Sequence, residues 1–226
     1  MVRARLPPLA IFAIVAAWIA AGLALDHDAG VDRQRVIGVV TWAILLGLLA
    51  RSSREMRVQV VALVVIATAM EYTASPLLGI YTYRLGNVPA YVPPGHGLVY
   101  LAALSLGGAL RSPALPRATL AVGALWALWG VTLSDRRDLF GAVLLACYAG
   151  FLRWGRAAGV FAVVFVLTSE LELIGTGLGN WAWAHGPSVL ALGNPPSGIA
   201  GGYGFLDAAA MATAAWWLRR PRAAPS

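Results

Sequence analysis

The sequence predicts an all-α membrane protein, a polytopic helical bundle with about eight transmembrane helices. Of its 226 residues, 59% are hydrophobic and only 12% are charged. The apolar residues form runs that are too long and too unbroken for the core of a soluble domain, and several approach the roughly 20 residues that a helix needs to cross a bilayer. In chain order, the eight runs are Pro8 to Leu25, Val36 to Ala50, Val58 to Leu78, Gly97 to Leu110, Ala118 to Leu133, Leu139 to Phe151, Ala157 to Leu178 and Gly198 to Leu218. The second, fourth and sixth runs are short for a crossing.

The connections between these runs predict the topology. The first run continues into Asp26-His27-Asp28 without the small-residue pattern of a signal-peptide cleavage site, so we expect a retained first helix. All 17 basic residues are arginines, and most of them fall on alternate connections. The connections of the opposite side carry only Arg33, Arg35, Arg84, Arg136 and Arg137. The positive-inside rule then places the protein in the cell membrane with both termini in the cytoplasm.

The net positive charge and the cysteine content argue against several classes of function. A net charge of +7 is explained by topology and anionic lipid headgroups, so we expect no nucleic-acid partner. The single cysteine, Cys147, allows no intramolecular disulfide, and the sequence has no cysteine–histidine set with metal-ligand spacing. We therefore expect neither a bound metal nor a cofactor. One alternative stays open, since carboxylates alone could hold Mg²⁺ or Ca²⁺.

Two stretches of the chain resemble each other and predict an internal duplication. The first has Glu71, then Gly79-Ile80-Tyr81-Thr82-Tyr83 and Val92-Pro93-Pro94-Gly95. The second has Glu172, then Gly179-Asn180-Trp181-Ala182-Trp183 and Asn194-Pro195-Pro196-Ser197. We expect one membrane domain, residues 1–226, built from four-helix repeats at 1–111 and 112–226 that run the same way through the membrane. The double prolines are expected to stop any helix.

Four acidic residues inside the apolar runs are the first candidates for a functional site: Glu71, Glu170, Glu172 and Asp207. A carboxylate in hydrocarbon is costly unless it faces a polar cavity, takes up a proton or finds a partner. Counting the helical rise of ~1.5 Å per residue places Glu71, Glu172 and Asp207 at similar depths. Residues two apart on a helix diverge, so the repeat predicts that Glu172 faces inward and Glu170 faces a neighbouring helix; a shifted register would exchange the two.

We predict that Glu71 and Asp207 form an acid/base pair, supported by Glu172. The predicted substrate-binding residues are Tyr81, Tyr83, Trp181, Trp183, His96 and Tyr203. Aromatic faces stabilise carbocations and stack on polyenes, and a histidine can orient a carboxylate or share its proton. Other interpretations stay open, because aromatic belts are common without any site, and a lone histidine in a glycine turn is more often structural.

One stretch of the first half resembles the sequence pattern of a known protein family. It consists of Glu71, then Gly79-x-Tyr81-x-Tyr83, a short spacer, Val88-Pro89 or Val92-Pro93, and a following apolar helix. The pattern is that of the carotenoid-biosynthesis membrane family that contains the bacterioruberin-precursor hydratases. The resemblance covers a stretch near the middle of the first half and is weaker in the second half. It implies acid-initiated addition of water, or cyclisation, on an isoprenoid double bond. It also implies that Glu71, Tyr81 and Tyr83 are the residues that take part in this reaction.

Three function classes remain from the sequence. The first is an integral membrane enzyme, a hydratase, other lyase or cyclase, that uses buried carboxylates for acid/base chemistry on an isoprenoid or other lipid. The second is a proton- or cation-coupled small-molecule transporter, whose repeats and intramembrane acids would serve coupling. The third is a lipid-binding or assembly subunit whose acids pair with a partner's arginines. The sequence favours the enzyme.

Overall fold

The computed structural model describes residues 6–186 and 191–220, and this part of the chain contains eight α-helices. They are α1 (Pro8–Asp26), α2 (Val31–Leu49), α3 (Arg54–Tyr72), α4 (Val92–Gly107), α5 (Ala114–Thr132), α6 (Leu139–Trp154), α7 (Ala158–Gly177) and α8 (Ile199–Leu218). Each predicted apolar run coincides with one helix, so the all-α fold class is confirmed.

Several helices begin earlier than the apolar runs, because polar residues and prolines occupy their first turns. The helix α3 begins after Ser53, whose hydroxyl accepts a hydrogen bond from the Met56 backbone N–H at 3.3 Å and so caps the helix. In α4, Pro93 and Pro94 lie in the first turn, where the missing proline N–H has no helical partner in any case. The prediction that this double proline stops a helix is wrong. As a consequence His96 lies within α4 rather than in a glycine turn.

Four helical segments of the described chain are long and apolar enough to cross a membrane. They are α1, α3 with the π-helix that extends it (Arg54–Leu77), α5 and α7; the shorter α6 is also apolar. Large apolar side chains such as Val39 and Leu125 lie exposed on the outside of the bundle, which is expected of a surface that contacts hydrocarbon. These observations agree with a membrane protein. The number of eight crossings and the cytoplasmic location of the termini stay predictions.

The core of the bundle is a ring of four helices in which α3 packs on α4, α4 on α7, α7 on α8 and α8 on α3. The helices α4 and α7 are the most enclosed, and in each a stretch of consecutive residues is buried, Leu98 to Ala103 in α4 and Val160 to Phe165 in α7. A helix that is apolar all round is expected at such a position. The remaining helices cover the outside of this ring.

Two short strands connect the halves of the chain at one end of the ring. The helix α3 continues into a π-helix, Thr73–Leu77, which contains Pro76 and therefore lacks one helical N–H donor. The chain then turns at Gly79, with φ of 62°, into β1 (Tyr81–Tyr83). After α7 it turns at Gly179, with φ of 72°, into β2 (Trp181–Trp183). Only glycine adopts this left-handed conformation without strain.

The two strands pair antiparallel, with Tyr81 opposite Trp183 and Tyr83 opposite Trp181. This register relates the two segments by a local twofold axis at the Thr82–Ala182 pair. Within each strand the aromatic rings are buried and the middle residue is exposed, as the alternation of side chains along a strand requires. The duplication at residues 1–111 and 112–226 stays a prediction.

Arginine side chains fasten the loops around the strand pair. Arg84 donates hydrogen bonds to the carbonyls of Asp26 and Ala29, at 2.7 and 2.6 Å. Arg136 donates to three carbonyls, those of Trp183, Ala184 and Leu192. Because the planar guanidinium has five N–H donors, one side chain can hold several loop carbonyls at once. These contacts give Arg84 and Arg136 a structural role.

Candidate functional site

The first carboxyl group of the site, Glu71, lies at the end of α3 and is 4% exposed. Its Oε2 accepts hydrogen bonds from the hydroxyls of Tyr81 at 2.7 Å and Tyr83 at 2.8 Å. Its Oε1 lies 2.8 Å from His96 Nε2. Two hydroxyls therefore donate to one oxygen of Glu71, and the contact of the other oxygen with His96 is an ion pair when the imidazole is protonated.

The second carboxyl group, Glu172, lies near the end of α7 and is 3% exposed. Its Oε2 accepts hydrogen bonds from both strand indoles, from Trp181 Nε1 at 3.0 Å and from Trp183 Nε1 at 2.9 Å. Among the described residues no hydrogen-bond donor contacts the other oxygen, Oε1, and this atom is not sealed from the cavity described below. Glu172 therefore holds one oxygen fixed and presents the other.

The strand pair explains why the two carboxyls come together. Tyr81 and Tyr83 of β1 hold Glu71, while Trp181 and Trp183 of β2 hold Glu172, and the antiparallel register interleaves the four rings. The ring centroids of Tyr81 and Trp183 are 4.8 Å apart, and those of Tyr83 and Trp181 are 6.0 Å apart. Such pairs add aromatic packing energy to the burial of the rings. The rings form a lid over both carboxyls.

The tyrosine hydroxyls of this lid stay protonated over a wide pH range. Burial raises the pKa of both Tyr81 and Tyr83, and the nearby Glu71 carboxylate raises each further, because a phenolate would be desolvated and would face a negative charge. Both residues therefore act as hydrogen-bond donors to Glu71, not as acids or bases.

His96 and Tyr203 bring the helices α4 and α8 into the site. The imidazole of His96 is 7% exposed and stacks on the ring of Tyr203, with centroids 5.3 Å apart and planes inclined by 26°. A hydrogen bond of the Tyr203 hydroxyl to another described residue is not observed. The stacking keeps the imidazole plane in the orientation that its contact with Glu71 requires.

These groups line one cavity of about 380 Å³ between the halves of the chain. The rest of its wall is mostly apolar and includes Leu23, Ile37, Met70, Leu144, Leu171 and Ile199, together with Trp18, Phe140 and Phe205. A mostly apolar concave pocket with a few convergent polar groups is the usual form of a small-molecule site. All eight of the predicted site residues other than Asp207 line it: Glu71, Tyr81, Tyr83, His96, Glu172, Trp181, Trp183 and Tyr203.

Asp207 does not belong to this cavity, and the predicted pairing of Glu71 with Asp207 is not observed. Asp207 is 2% exposed, its Oδ2 has no hydrogen-bond partner among the described residues, and it does not line the cavity wall. It lies one helical turn beyond Tyr203 on α8, and its backbone carbonyl is 3.5 Å from the hydroxyl of Tyr100 on α4. Because residues four apart share a helix face, Asp207 lies on nearly the same face of α8 as Tyr203 but one turn further along the helix, past the end of the cavity wall.

Glu172 rather than Glu170 faces the cavity, as the alignment of the two stretches predicts. Glu170 is only partly buried and is not part of the cavity wall. The residues are two apart on α7, and the corresponding rotation of about 200° puts them on nearly opposite faces. Glu170 is thus a natural control for Glu172.

Sequence reasoning missed one polar pair of the wall. Trp18 Nε1 donates to Thr41 Oγ1 at 3.0 Å, and the Thr41 hydroxyl donates to the Ile37 carbonyl at 2.7 Å. A threonine inside an apolar run was the available signal, but back-bonding of this kind is common in helices and does not single out a site.

The described residues contain no group of three or more His, Cys, Asp or Glu side chains placed to hold a metal ion. Both oxygens of Glu71 contact phenol or imidazole groups, and one oxygen of Glu172 accepts from two indoles. The absence of a metal or cofactor from the function stays a prediction.

Comparisons with known proteins found no similar protein. No family model and no curated protein matches the sequence, and no solved structure matches the fold. The resemblance to the carotenoid-biosynthesis membrane family stays a prediction, and the function rests on the side chains of the cavity.

Proposed function

We propose that this protein is an integral membrane enzyme that uses buried carboxyl groups for acid/base chemistry, hydration or cyclisation, on an isoprenoid or other lipid substrate. The observation that carries the proposal is the pair of carboxyls, Glu71 and Glu172, that face one apolar cavity with different partners. A pair of acidic groups in unlike surroundings is suited to separate acid and base roles. The sequence resemblance points to the same chemistry.

Glu172 is the proposed acid. Its Oε2 is held by two indole N–H groups, which leaves Oε1 to carry a proton into the cavity. Transfer of that proton to one carbon of a double bond forms a new C–H bond and leaves a carbocation on the other carbon. The indole donors then stabilise the carboxylate that remains on Glu172.

The aromatic wall is the proposed stabiliser of the cation. The rings of Trp181, Trp183 and Tyr81 surround the space beside Glu172. The negative face of an aromatic ring attracts a cation, most strongly for tryptophan, and the attraction grows when water is excluded. The same wall excludes bulk water, which would otherwise trap the cation without control.

Glu71 with His96 is the proposed base. In a hydration, water adds its oxygen to the cation and gives a proton to the Glu71–His96 pair; in a cyclisation, a second double bond attacks and the pair takes a proton from the neighbouring carbon. Return of that proton to Glu172 restores the starting state, so neither reaction consumes protons. Asp207, which lies outside the cavity, has no place in this scheme.

The test begins with the lipids that copurify with the protein, identified by absorbance and mass spectrometry. These lipids are incubated with purified protein in detergent without any ion gradient, and the products are analysed for addition of one water or for an isomer of equal mass. We expect Glu172→Gln and Glu71→Gln each to reduce turnover by about 100-fold or more. Glu170→Gln, which removes the same charge from α7 outside the cavity, is the matched control.

Two results would contradict the proposal. Full turnover in a folded Glu172→Gln variant would remove the acid from the scheme. Substrate-driven proton movement in liposomes without any chemical change in the lipid would indicate the transporter of the second function class instead.

A further inference from the structure

The wall of the cavity is buried to different degrees on its different sides. The strand pair covers one end of the four-helix ring with four buried aromatic side chains. Of the α1 and α2 residues that face the cavity, Leu23 and Ile37 are buried, while Trp18 and Ile19 are partly buried. Access from the aqueous phase on this side would require the four-ring lid to open, with loss of the hydrogen bonds to both carboxyls.

On α8 the wall is different. Phe205 lines the cavity and is nevertheless 56% exposed, the one exposed wall residue in the described part of the chain. Its ring contacts the edge of Phe151 on α6, with centroids 5.1 Å apart and planes at 82°. Phe205 thus faces both the cavity and the outside of the bundle.

Gly202 leaves a gap beside this ring. It precedes Phe205 by three residues, so the two positions share one face of the helix. Gly202 also lines the cavity, and a methyl group built there meets only Ile199 Cδ1 at 3.8 Å, with nothing else within 4 Å. The neighbouring Gly201 differs, because a methyl group built there would collide with the backbone of Leu144. Close packing explains Gly201 but not Gly202.

The surface around this gap is apolar. Outward-facing side chains of this part of α8 include Phe205 and Ala209, and Val143 of the adjacent α6 is also exposed. A surface of this kind on a membrane protein contacts lipid chains rather than water. An opening at this place therefore leads into the bilayer.

We infer that Gly202 and Phe205 form a lateral window through which a chain dissolved in the bilayer enters and leaves the cavity. The inference takes its occupant, an isoprenoid-like chain, from the proposed function, but its geometry does not depend on catalysis. It narrows the substrate class to molecules that partition into the hydrocarbon, with the reacting double bond reaching the carboxyls and the remainder able to stay in the lipid.

The test uses retinol, a polyene whose absorption overlaps tryptophan emission, added to vesicles that contain the purified full-length protein. Energy transfer from tryptophan, measured in a stopped-flow fluorimeter against protein-free vesicles, reports association with the cavity. Because Trp181 and Trp183 lie in the wall, the signal of a Trp181→Phe/Trp183→Phe variant identifies the part that arises there.

Two window variants and one control separate the outcomes. Gly202→Leu fills the gap and is expected to slow association about tenfold, since crowding of a passage by a large side chain acts directly on the barrier. Phe205→Ala opens the gap and is expected to speed association and dissociation together. Gly47→Leu is the control, because Gly47 lies on α2 away from the cavity and also has free space around it.

The inference is overturned if Gly202→Leu and Phe205→Ala associate at the wild-type rate, if Gly47→Leu has the same effect as Gly202→Leu, or if retinol gives no cavity signal with the wild-type protein. Failure of the proposed function looks different. A protein that admits retinol through the window but converts none of its copurified lipids would retain the window and lose the enzyme assignment.

Discussion

The hydrogen bonds of Glu71 lead to a stability prediction that needs no substrate. The hydroxyls of Tyr81 and Tyr83 both donate to Glu71 Oε2, at 2.7 and 2.8 Å, and both side chains are 6% exposed. A hydrogen bond to a charged group contributes about 1.5–3 kcal/mol to stability. When one tyrosine is replaced by phenylalanine the other still satisfies the same oxygen, so each single change should cost about 1.5 kcal/mol, near the low end of that range.

The double change removes the last donor from this oxygen and leaves a buried charge less satisfied. We expect Tyr81→Phe/Tyr83→Phe to lower the free energy of unfolding by about 4 kcal/mol, which exceeds the sum of the single effects by about 1 kcal/mol. The measurement is a denaturant titration in detergent micelles, followed by circular dichroism. Tyr72→Phe is the matched control, since Tyr72 is 56% exposed on the same helix as Glu71 and makes no side-chain hydrogen bond with a described residue.

The same series in a Glu71→Gln background tests the cause. Without the carboxylate, each Tyr→Phe change should cost less than about 1 kcal/mol, because a hydrogen bond between neutral groups contributes only that much. The reasoning would be refuted if Tyr81→Phe and Tyr83→Phe were as stable as Tyr72→Phe, or if their full cost persisted in the Glu71→Gln background, where the carboxylate is replaced by a neutral amide.

Three further predictions concern the lid and the loops that hold it. The folded-state pKa of both lid tyrosines is raised above the ordinary value of 10.0, so they stabilise the protein below pH 10 and lose that contribution as the pH rises further. The wild type should therefore lose stability above pH 10 more steeply than the double phenylalanine variant, by up to about 1.4 kcal/mol per pH unit for each tyrosine; equal slopes in alkaline denaturation would contradict this. Gly175→Ala should destabilise by about 1–3 kcal/mol, because its methyl group would collide with the Trp181 ring, whereas Gly177→Ala, with free space around it, should not; thermal unfolding compares the two. Arg136→Gln should increase hydrogen exchange of the β2 amides, because three loop carbonyls lose their donor, and the exposed Arg137→Gln should leave that exchange unchanged.

The helices were predictable from the sequence because their signal is local. A long apolar run needs no information about distant residues to indicate a helix, and all eight runs became helices. The boundaries were less predictable, since prolines and polar side chains suit the first turn of a helix as well as a loop. For this reason α4 starts at Val92 and includes His96.

The contents of the site were predictable in part. The repeated spacing of an acid, a glycine and two alternating aromatics identified both carboxyls and the four rings of the lid. The sequence also singled out His96 and Tyr203, but not the stacking between them or the choice of Glu71 as the partner of His96. Asp207 satisfied the same criterion of a buried acid and lies outside the cavity, because burial in an apolar run does not specify how far along the helix a cavity extends.

By itself the sequence determined that this chain forms apolar helices and carries acids inside them, since composition and periodicity act within each segment. The tertiary structure alone decided that β1 pairs with β2, that Glu71 and Glu172 share one cavity, and that the cavity reaches the outside at Gly202 and Phe205. These features depend on how α3, α4, α7 and α8 pack around one another. Side chains that are far apart along the chain meet only when that packing has selected which faces of the helices point inward.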